Sequence, residues 1–254
     1  MTTLTLLTRA YSVSQLNQIG DALKISLEGL DVEAKILGTV AGRWVQIALS
    51  GEDEGVATNY IAKEIGFCPT NFGDVKKFST LKGYVTNFEK NTDELAVDVG
   101  VFQPKTIHAT IPLSHLQVQL VDGRKVALRK MGELFGFCND LPLTIKVTRV
   151  NEENSHIEAE LSTRQVEKYK VWQEALLDKL IVLGVALREV KNALEYAKLN
   201  RDVISVEPLG IVEHALTCKL GTDAAGLIPK IGRLLKNSKF AVFNPRKIRR
   251  FLES

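Results

Sequence analysis

The chain has 254 residues, of which 45% are hydrophobic and 25% are charged, and its formal net charge at pH 7 is +3. This length is too great for one small barrel and suits two or three compact domains. Such domains bury enough apolar surface to fold without disulfides or metals. The apolar runs are all shorter than the roughly 20 residues that cross a bilayer, so we do not expect a membrane-spanning protein.

Three cysteines, Cys68, Cys138 and Cys218, are far apart in the sequence and odd in number. Each stands among apolar neighbours, and no two have the spacing of metal ligands, so we interpret them as small buried hydrophobes. This use of cysteine is typical of a reducing compartment and predicts a cytoplasmic protein.

Charge is distributed unevenly along the chain. Residues 1–75 carry five basic and nine acidic side chains, a net charge of −4, and residues 76–162 are neutral. Residues 163–254 carry 17 basic and ten acidic side chains, a net charge of +7. This asymmetry favours a polyanionic partner at the basic end, and the alternative is an ordinary scatter of surface charge.

Residues 1–75 predict a small α/β domain. Strand-like alternation covers residues 4–7, 32–37 and 43–49, and apolar residues at helical spacing cover residues 13–27 and about 55–65. The order strand, helix, strand, strand, helix makes up most of a ferredoxin-like split βαβ unit. We expect its last strand near residues 76–79.

Residues 76–162 predict a small closed β-barrel. Short alternating strands, separated by turn residues, cover residues 81–85, 95–100, 109–116, 143–150 and 157–162. An insertion at residues 121–140 has apolar residues near helical spacing. Its basic residues either contact nucleic acid or lie on a solvated helix face, and they are Arg124, Lys125, Arg129 and Lys130.

Residues 163–254 predict a linking helix and then a second ferredoxin-like domain. Tyr169 and Trp172 lie on the helix, and we expect them to pack against a neighbouring domain. Asp223 precedes a later helix, where its carboxylate is expected to cap the first turn instead of leaving backbone N–H groups for a phosphate. The pattern of the first domain recurs in strands at 180–183, 203–206 and 213–219 and a helix at 187–197.

The predicted barrel resembles an S1-type oligonucleotide-binding domain. Residues 109–116 (Ala-Thr-Ile-Pro-Leu-Ser-His-Leu) match the apolar positions and the serine of the family's Gly-Leu-Val-His-Ile-Ser-Glu-Leu-like segment, and the hairpin at 143–162 matches its last hairpin. A barrel placed between α/β domains is similar to an archaeal family with a central S1-like domain. It is more loosely similar to the alpha subunit of archaeal and eukaryotic initiation factor two and to the exosome cap subunits. The resemblance implies RNA binding in translation or RNA processing.

The chain departs from the S1 pattern where bases usually stack. Residues 93–96 on the second strand include no aromatic residue, and Pro112 occupies the position of the usual histidine. Stacking contributes about 1–3 kcal/mol per base, so this barrel face lacks much of that affinity. Tyr84 and Phe88 on the first strand are candidates to replace part of it, and they fit core positions equally well. Lys82 on the same strand is also assigned to nucleic-acid binding.

The C-terminal part of the chain is the strongest candidate for phosphate contacts. From residue 226 onward Glu253 is the only acidic residue, and Phe240, Phe243 and Phe251 lie between the cations. Lys and Arg at this density predict salt-dependent binding of nucleic acid. The alternative is that the phenylalanines are core and the charges solvate a helix and a tail. The basic residues assigned to nucleic acid here are Lys230, Arg233, Lys236, Arg246, Lys247, Arg249 and Arg250.

No catalytic, metal or cofactor site is predicted. The four histidines are scattered, and neither a Walker loop nor a dinucleotide fingerprint occurs. We therefore expect an α+β protein, with an S1-like OB barrel between two ferredoxin-like domains, that binds RNA or the ribosome and is not an enzyme. One alternative is an adaptor that binds a protein partner through the acidic N-terminal domain and makes no RNA contact. A nuclease with a site assembled by the fold is a third possibility.

Overall fold

Residues 2–253, the part of the chain that this computed structural model describes, form three successive β-sheets with helices packed on them. The sheets have three, six and four strands in chain order. The mixed α+β class that the sequence predicts is therefore confirmed. No helix within residues 2–253 is long and apolar enough to span a membrane.

The N-terminal domain is an antiparallel sheet of three strands with two helices. Its elements are β1 Thr2–Arg9, α1 Val13–Ser26, β2 Glu33–Val40, β3 Trp44–Ser50 and α2 Glu54–Glu64. The sheet order is β1-β3-β2, which places the two strands joined by helix α1 on either side of β3. The side chain of Ser12 caps α1 by accepting a hydrogen bond from the Gln15 N–H group.

The prediction of a strand at residues 76–79 is wrong, because these residues form a loop. Phe67 instead makes a single antiparallel bridge with Leu6 on β1. The pairing continues for one residue only: the Cys68 N–H group donates to Thr5 O at 2.9 Å. Pro69 follows, and because proline has no backbone N–H group it ends the pairing.

Five strands close into the barrel that the alternation predicts. The central sheet contains β4 Thr70–Asn71, β5 Thr80–Thr86, β6 Glu94–Gln103, β7 Ile107–Pro112, β8 Pro142–Asn151 and β9 His156–Leu161. The order around the barrel is β5-β6-β7-β9-β8, and β8 pairs again with β5. The pair β7–β9 is parallel, as in an OB-like barrel. The two-residue β4 lies beside β6, outside the closed ring.

The insertion between β7 and β8 forms two helices, α3 Leu113–Val121 and α4 Leu128–Phe135. It begins earlier than expected, so residues 113–116 are helical and not part of the third strand. The reason is packing at helical spacing: Leu116 and Leu120 are both buried against the barrel core.

The C-terminal part begins with α5 Thr163–Glu174 and continues as a four-stranded antiparallel sheet. Its further elements are β10 Lys179–Leu183, α6 Leu187–Tyr196, β11 Val203–Pro208, β12 Glu213–Cys218, α7 Ala224–Ile231, β13 Lys239–Phe243 and α8 Pro245–Glu253. The sheet order is β11-β12-β10-β13. The helices α6 and α7 cover one face of this sheet, and the barrel and α5 cover the other.

The sequence pattern did not predict β13 as a strand. Phe240 and Val242 pack on the α6–α7 side of the sheet, whereas Ala241 and Phe243 pack on the barrel side. Both faces of the strand are covered, so it lacks the alternation of apolar and polar residues that marks a strand with one exposed face.

Aromatic side chains join the barrel to the C-terminal sheet. Tyr169 and Trp172 on α5 are buried, which confirms that they pack against a neighbouring domain. Their ring centroids lie 5.9 Å and 5.3 Å from that of Phe243 on β13. Phe135 at the end of α4 and Phe137 just after this helix complete the cluster. The barrel and the C-terminal sheet therefore share one hydrophobic core.

Candidate nucleic-acid interface

The N-terminal domain covers the outer face of barrel strand β6. Asp98 on that face accepts a hydrogen bond from the Arg9 guanidinium at the end of β1. Gly100 faces the same way, and a Cβ atom at this residue would lie 2.5 Å from Cys68 Sγ. OB barrels usually bind oligonucleotides on the face formed by their second and third strands. Here much of that face contacts protein.

Tyr84 lies on the outer face of β5 but is only 3% exposed. Its ring meets Trp44 edge-on with centroids 5.7 Å apart, and its Oη atom lies 3.5 Å from Glu213 Oε2. The three sheets enclose this side chain. Of the two interpretations of Tyr84, a base-stacking residue or a core residue, its position fits the core.

Charged groups of all three domains meet around Asp140, the second residue before β8. Its carboxylate accepts a hydrogen bond from Tyr11 Oη, and it lies 2.5 Å from Lys239 Nζ and 3.6 Å from Arg9 Nη1. Burial raises the pKa of Tyr11, so its hydroxyl remains a donor. We call Arg9, Tyr11, Asp98, Asp140 and Lys239 the junction cluster.

Glu213 lies beside the junction cluster at the start of β12 and is fully buried. Burial raises its pKa from 4.5 to about 8, and the nearby negative charge of Asp140 acts in the same direction. The carboxyl group is therefore protonated at neutral pH, which avoids an ionised acid in the interior.

A large cleft lies along the contact between the barrel and the C-terminal sheet. Its volume is about 1190 Å³, and its walls are α4, β13, α8 and the loop between β5 and β6. We call it the basic groove, because four of its six charged lining residues are cations. The charged residues are Glu89, Arg129, Lys130, Glu133, Lys247 and Arg250.

Helix α8 supplies one cationic wall because it is strongly amphipathic. Pro245 and Ile248 are buried against the protein, which leaves Lys247 and Arg250 exposed at the groove. The Asn244 side chain caps the helix by accepting a hydrogen bond from the Lys247 N–H group at 2.9 Å.

Helix α4 supplies the other two cations of the groove. Leu128, Met131 and Leu134 are buried in the barrel core, so Arg129 and Lys130 point away from it and are exposed. The Lys130 Nζ atom lies 3.1 Å from Glu133 Oε2, an exposed ion pair that contributes little to stability.

Phe88 also lines the groove. The ring packs on helix α4 at Gly132, where a Cβ atom would overlap Phe88 Cζ. The Phe88 N–H group donates to Asn139 Oδ1 at 2.9 Å, which fixes the backbone of the β5–β6 loop. The ring is half-buried, so part of it faces the groove.

A smaller cleft of about 240 Å³ lies on the other side of α8 and shares Lys247 and Arg250 with the basic groove. It adds two cations, Lys219 and Arg246, together with two carboxylates, Asp178 and Asp223. Burial raises the pKa of Asp178. Asp223 accepts a hydrogen bond from the Ala225 N–H group, which confirms the predicted cap of α7 and occupies the N-terminus of that helix.

The fold brings together some of the residues predicted to bind nucleic acid and separates others. Arg124 donates hydrogen bonds to the Phe251 and Leu252 carbonyl oxygens at the end of α8, and Arg249 pairs with Glu253. Lys82 on barrel strand β5 lies near Arg164 on α5. Its partial burial, and secondly the like charge of Arg164, lower the pKa of Lys82. Like these three predicted residues, four others are exposed and line neither cleft: Lys125, Lys230, Arg233 and Lys236.

Sequence reasoning missed the junction cluster and the polar lining of the groove. A signal for the former was present, since Arg9 ends an apolar strand and Asp98 interrupts another. In the part of the chain that the structure describes, no group of three or more His, Cys, Asp or Glu residues is placed to hold a metal ion. The cysteines are free, and Cys68 and Cys218 are buried while Cys138 is half-buried.

Comparisons with known proteins show one family and include the structural likeness that follows. The comparison with curated proteins gave no match. A chain in the crystal structure of an a/eIF2alpha–aDim2p–rRNA complex from Pyrococcus horikoshii OT3 is 12% identical, with a TM-score of 0.27. That match covers 49% of this chain and 60% of that one. The N-terminal, central and C-terminal domains of DUF2110 match residues 3–71, 75–173 and 177–243. The chain therefore belongs to the DUF2110 family.

Proposed function

We propose that this protein binds RNA through the basic groove, without catalysis of its own, and acts in translation or RNA processing. One observation carries the proposal. Arg129 and Lys130 on α4 and Lys247 and Arg250 on α8 are far apart in sequence, yet they line one cleft from two of its walls. Cations gathered along one cleft fit the repeated phosphates of a nucleic-acid backbone.

The surroundings of the groove support a polyanionic ligand. The groove lining carries a net charge of +2 from four cations and two acids. Arg246 extends the positive charge into the smaller cleft beyond α8. Because Lys and Arg release counterions from a nucleic acid when they bind its phosphates, affinity is expected to fall steeply with salt.

Two finer structural assignments belong to this proposal. We assign the barrel to the S1 type on the strand order and on the hairpin at residues 143–162. We assign both flanking sheets to the ferredoxin-like type. In the C-terminal sheet, the element order βαββαβ and the strand order β13-β10-β12-β11 support this assignment. In the N-terminal domain, the element order is the same as far as α2, and the short bridge at Phe67 takes the place of the last strand.

The test is RNA affinity measured against salt concentration, by fluorescence anisotropy, for the full chain and two double variants. Changing Lys247 and Arg250 to Ala is expected to weaken binding and to reduce the slope of log K against log salt by about 1.5, for two lost phosphate contacts. The control changes Lys170 and Lys191 to Ala. Both are exposed, lie in the same basic part of the chain and are absent from the lining of the two clefts.

The control double variant removes the same charge and is expected to keep most of the affinity. An equal loss in the two double variants would show that general charge, and not the groove, binds RNA. Absence of RNA binding at low salt would contradict the proposal and favour the protein-interaction adaptor. Co-sedimentation with ribosomes at low salt separates a ribosomal from a free RNA partner.

A further inference from the structure

We infer that the basic groove takes a single, unpaired RNA strand, with bases against Phe88 and the phosphate backbone along α8. This inference rests on the proposed function and adds the class of RNA that the site accepts. Three features of the groove carry it: an aromatic ring in the same cleft as the cations, hydrogen-bonding side chains in that cleft, and the concave shape of the site.

The position of Phe88 suits stacking by a base. The tip of the ring packs on the backbone of α4 at Gly132, and the bond from the Phe88 backbone N–H group to Asn139 fixes the backbone that carries the ring. Sequence-tolerant binding of single strands commonly combines such a ring with a positively charged groove that follows the backbone. In a duplex the base faces are already stacked and unavailable.

Hydrogen-bonding side chains lie beside the ring. Asn91 and Thr92 from the β5–β6 loop and Asn139 from the loop after α4 line the groove with Phe88. The bond to the Phe88 N–H group uses only the amide oxygen of Asn139. Amide and hydroxyl groups next to a stacking ring are suited to the exposed edges of an unpaired base.

The shape of the site also favours a single strand. The cations of α4 and α8 and the side chain of Phe88 line the same concave cleft. A-form duplexes are recognised across their outer surface, through 2′-hydroxyl and phosphate contacts, so a duplex would meet only the rim of this groove. An unpaired strand can enter and place its phosphates near Lys247 and Arg250.

Helix α8 gives the RNA backbone a path out of the groove. Lys247 and Arg250 line both the basic groove and the smaller cleft, so a backbone that leaves the groove over this helix next meets Arg246. Among the residues that the structure describes, the lining of the smaller cleft includes no aromatic side chain, whereas Phe88 lines the basic groove. The bases are therefore held in the groove, and Arg246 contacts the backbone at the exit.

The experiment compares an RNA of about 12 nucleotides without self-complementarity with the same strand annealed to its complement. The proteins are the full chain, Phe88→Leu and Tyr196→Leu. Leucine keeps apolar packing on Gly132 but removes the ring. Tyr196 is a matched control because it is an aromatic residue on α6, 79% exposed and outside the groove lining. Circular dichroism and the unfolding midpoint check that each variant is folded.

We expect the full chain to bind the single strand at least about tenfold more tightly than the duplex. Phe88→Leu is expected to weaken single-strand binding by roughly 5- to 50-fold and to leave duplex binding unchanged, while Tyr196→Leu changes neither. Equal or tighter duplex binding that still depends on Lys247 and Arg250 would overturn the inference and leave the proposed function standing. Binding of neither RNA would overturn the proposed function and, with it, the inference.

Discussion

The Arg9 guanidinium donates a hydrogen bond to the Asp98 carboxylate, which joins the end of β1 to the outer face of barrel strand β6. The side chains of the pair are 9% and 7% exposed. The same guanidinium lies over the rings of Trp44 and Tyr84, 4.8 Å and 5.4 Å from their centroids. This buried ion pair therefore lies where the N-terminal domain covers the barrel.

The buried pair predicts a large loss of stability when one partner is removed. Changing Asp98 to Asn is expected to lower the free energy of unfolding by about 3–5 kcal/mol, because the Arg9 charge stays buried with a weaker partner. Changing Lys239 to Ala removes a pair with Asp140, but the Lys239 side chain is 57% exposed. The expected loss there is below about 1 kcal/mol. Urea unfolding of the two variants measures both values, and equal losses would contradict this assignment.

Glu213 predicts a pH dependence of stability. Its pKa is about 8 in the folded protein and about 4.5 as an ordinary carboxyl group. Below pH 4.5 the group is protonated in both states. Between these values only the unfolded state ionises, so this group lowers the free energy of unfolding as pH rises, by at most about 1.4 kcal/mol per pH unit. Above about pH 8 both states are ionised and the decrease stops.

Changing Glu213 to Gln tests this assignment, because the amide stays neutral at every pH. The variant is expected to lose the decrease between pH 4.5 and 8 and to gain stability relative to the parent toward the alkaline end. Urea unfolding at several pH values measures the difference. Changing Glu195, an exposed residue on α6, to Gln is the control and should leave the profile unchanged. Identical profiles for the parent and Glu213→Gln would show that Glu213 is ionised in the fold.

The positions of most strands could be predicted from the sequence, and the clearest cases are β7, β8 and β9, where buried residues alternate with less buried ones. Apolar patterning identified all five barrel strands and three strands in each flanking sheet. It failed at β13, where Phe240 and Phe243 are covered on opposite faces. It failed again at residues 113–116, because a short segment of this kind fits a helix and a strand equally well.

The groove could be predicted only in part. The sequence singled out Arg129 and Lys247 separately, but no local sequence pattern indicates that α4 and α8 line the same cleft. Tyr84 shows the converse problem. Alternation places it on the outer face of β5, and only the fold reveals that Trp44 and Glu213 cover that face. A pattern predicts which side of a strand a residue occupies but not which neighbour covers that side.

Gly100 tests the contact between the N-terminal domain and the barrel. Its φ of +80° disfavours any side chain, and a Cβ atom would lie 2.5 Å from Cys68 Sγ. Gly100→Ala is therefore expected to cost about 2 kcal/mol or more in the free energy of unfolding. Gly42→Ala is the control, since its φ is +89° with no atom within 4 Å, and it should cost only the backbone strain. Equal costs would show that Cys68 does not restrict this site.

Arg124 is predicted to stabilise α8 and not to bind RNA directly. It donates to the Phe251 carbonyl oxygen at 2.9 Å and to that of Leu252, where a helix has unpaired carbonyl groups and a partial negative charge. Arg124→Ala is expected to lower the free energy of unfolding by about 1 kcal/mol. The slope of RNA affinity against salt should stay unchanged. A reduced slope with unchanged stability would show that Arg124 contacts phosphate.

The remaining C-terminal cations separate the groove from general charge. Lys230, Arg233 and Lys236 are as exposed as the groove cations but line neither cleft. Changing all three to Ala removes more charge than the double variant of Lys247 and Arg250. It is nevertheless expected to weaken RNA binding less, because phosphates held in the groove are beyond their direct contact and salt screens charges about 10 Å away. Anisotropy titrations at about 0.1 M salt compare the two variants. A larger loss for the triple variant would place the RNA on α7 and the segment that follows it, outside the groove.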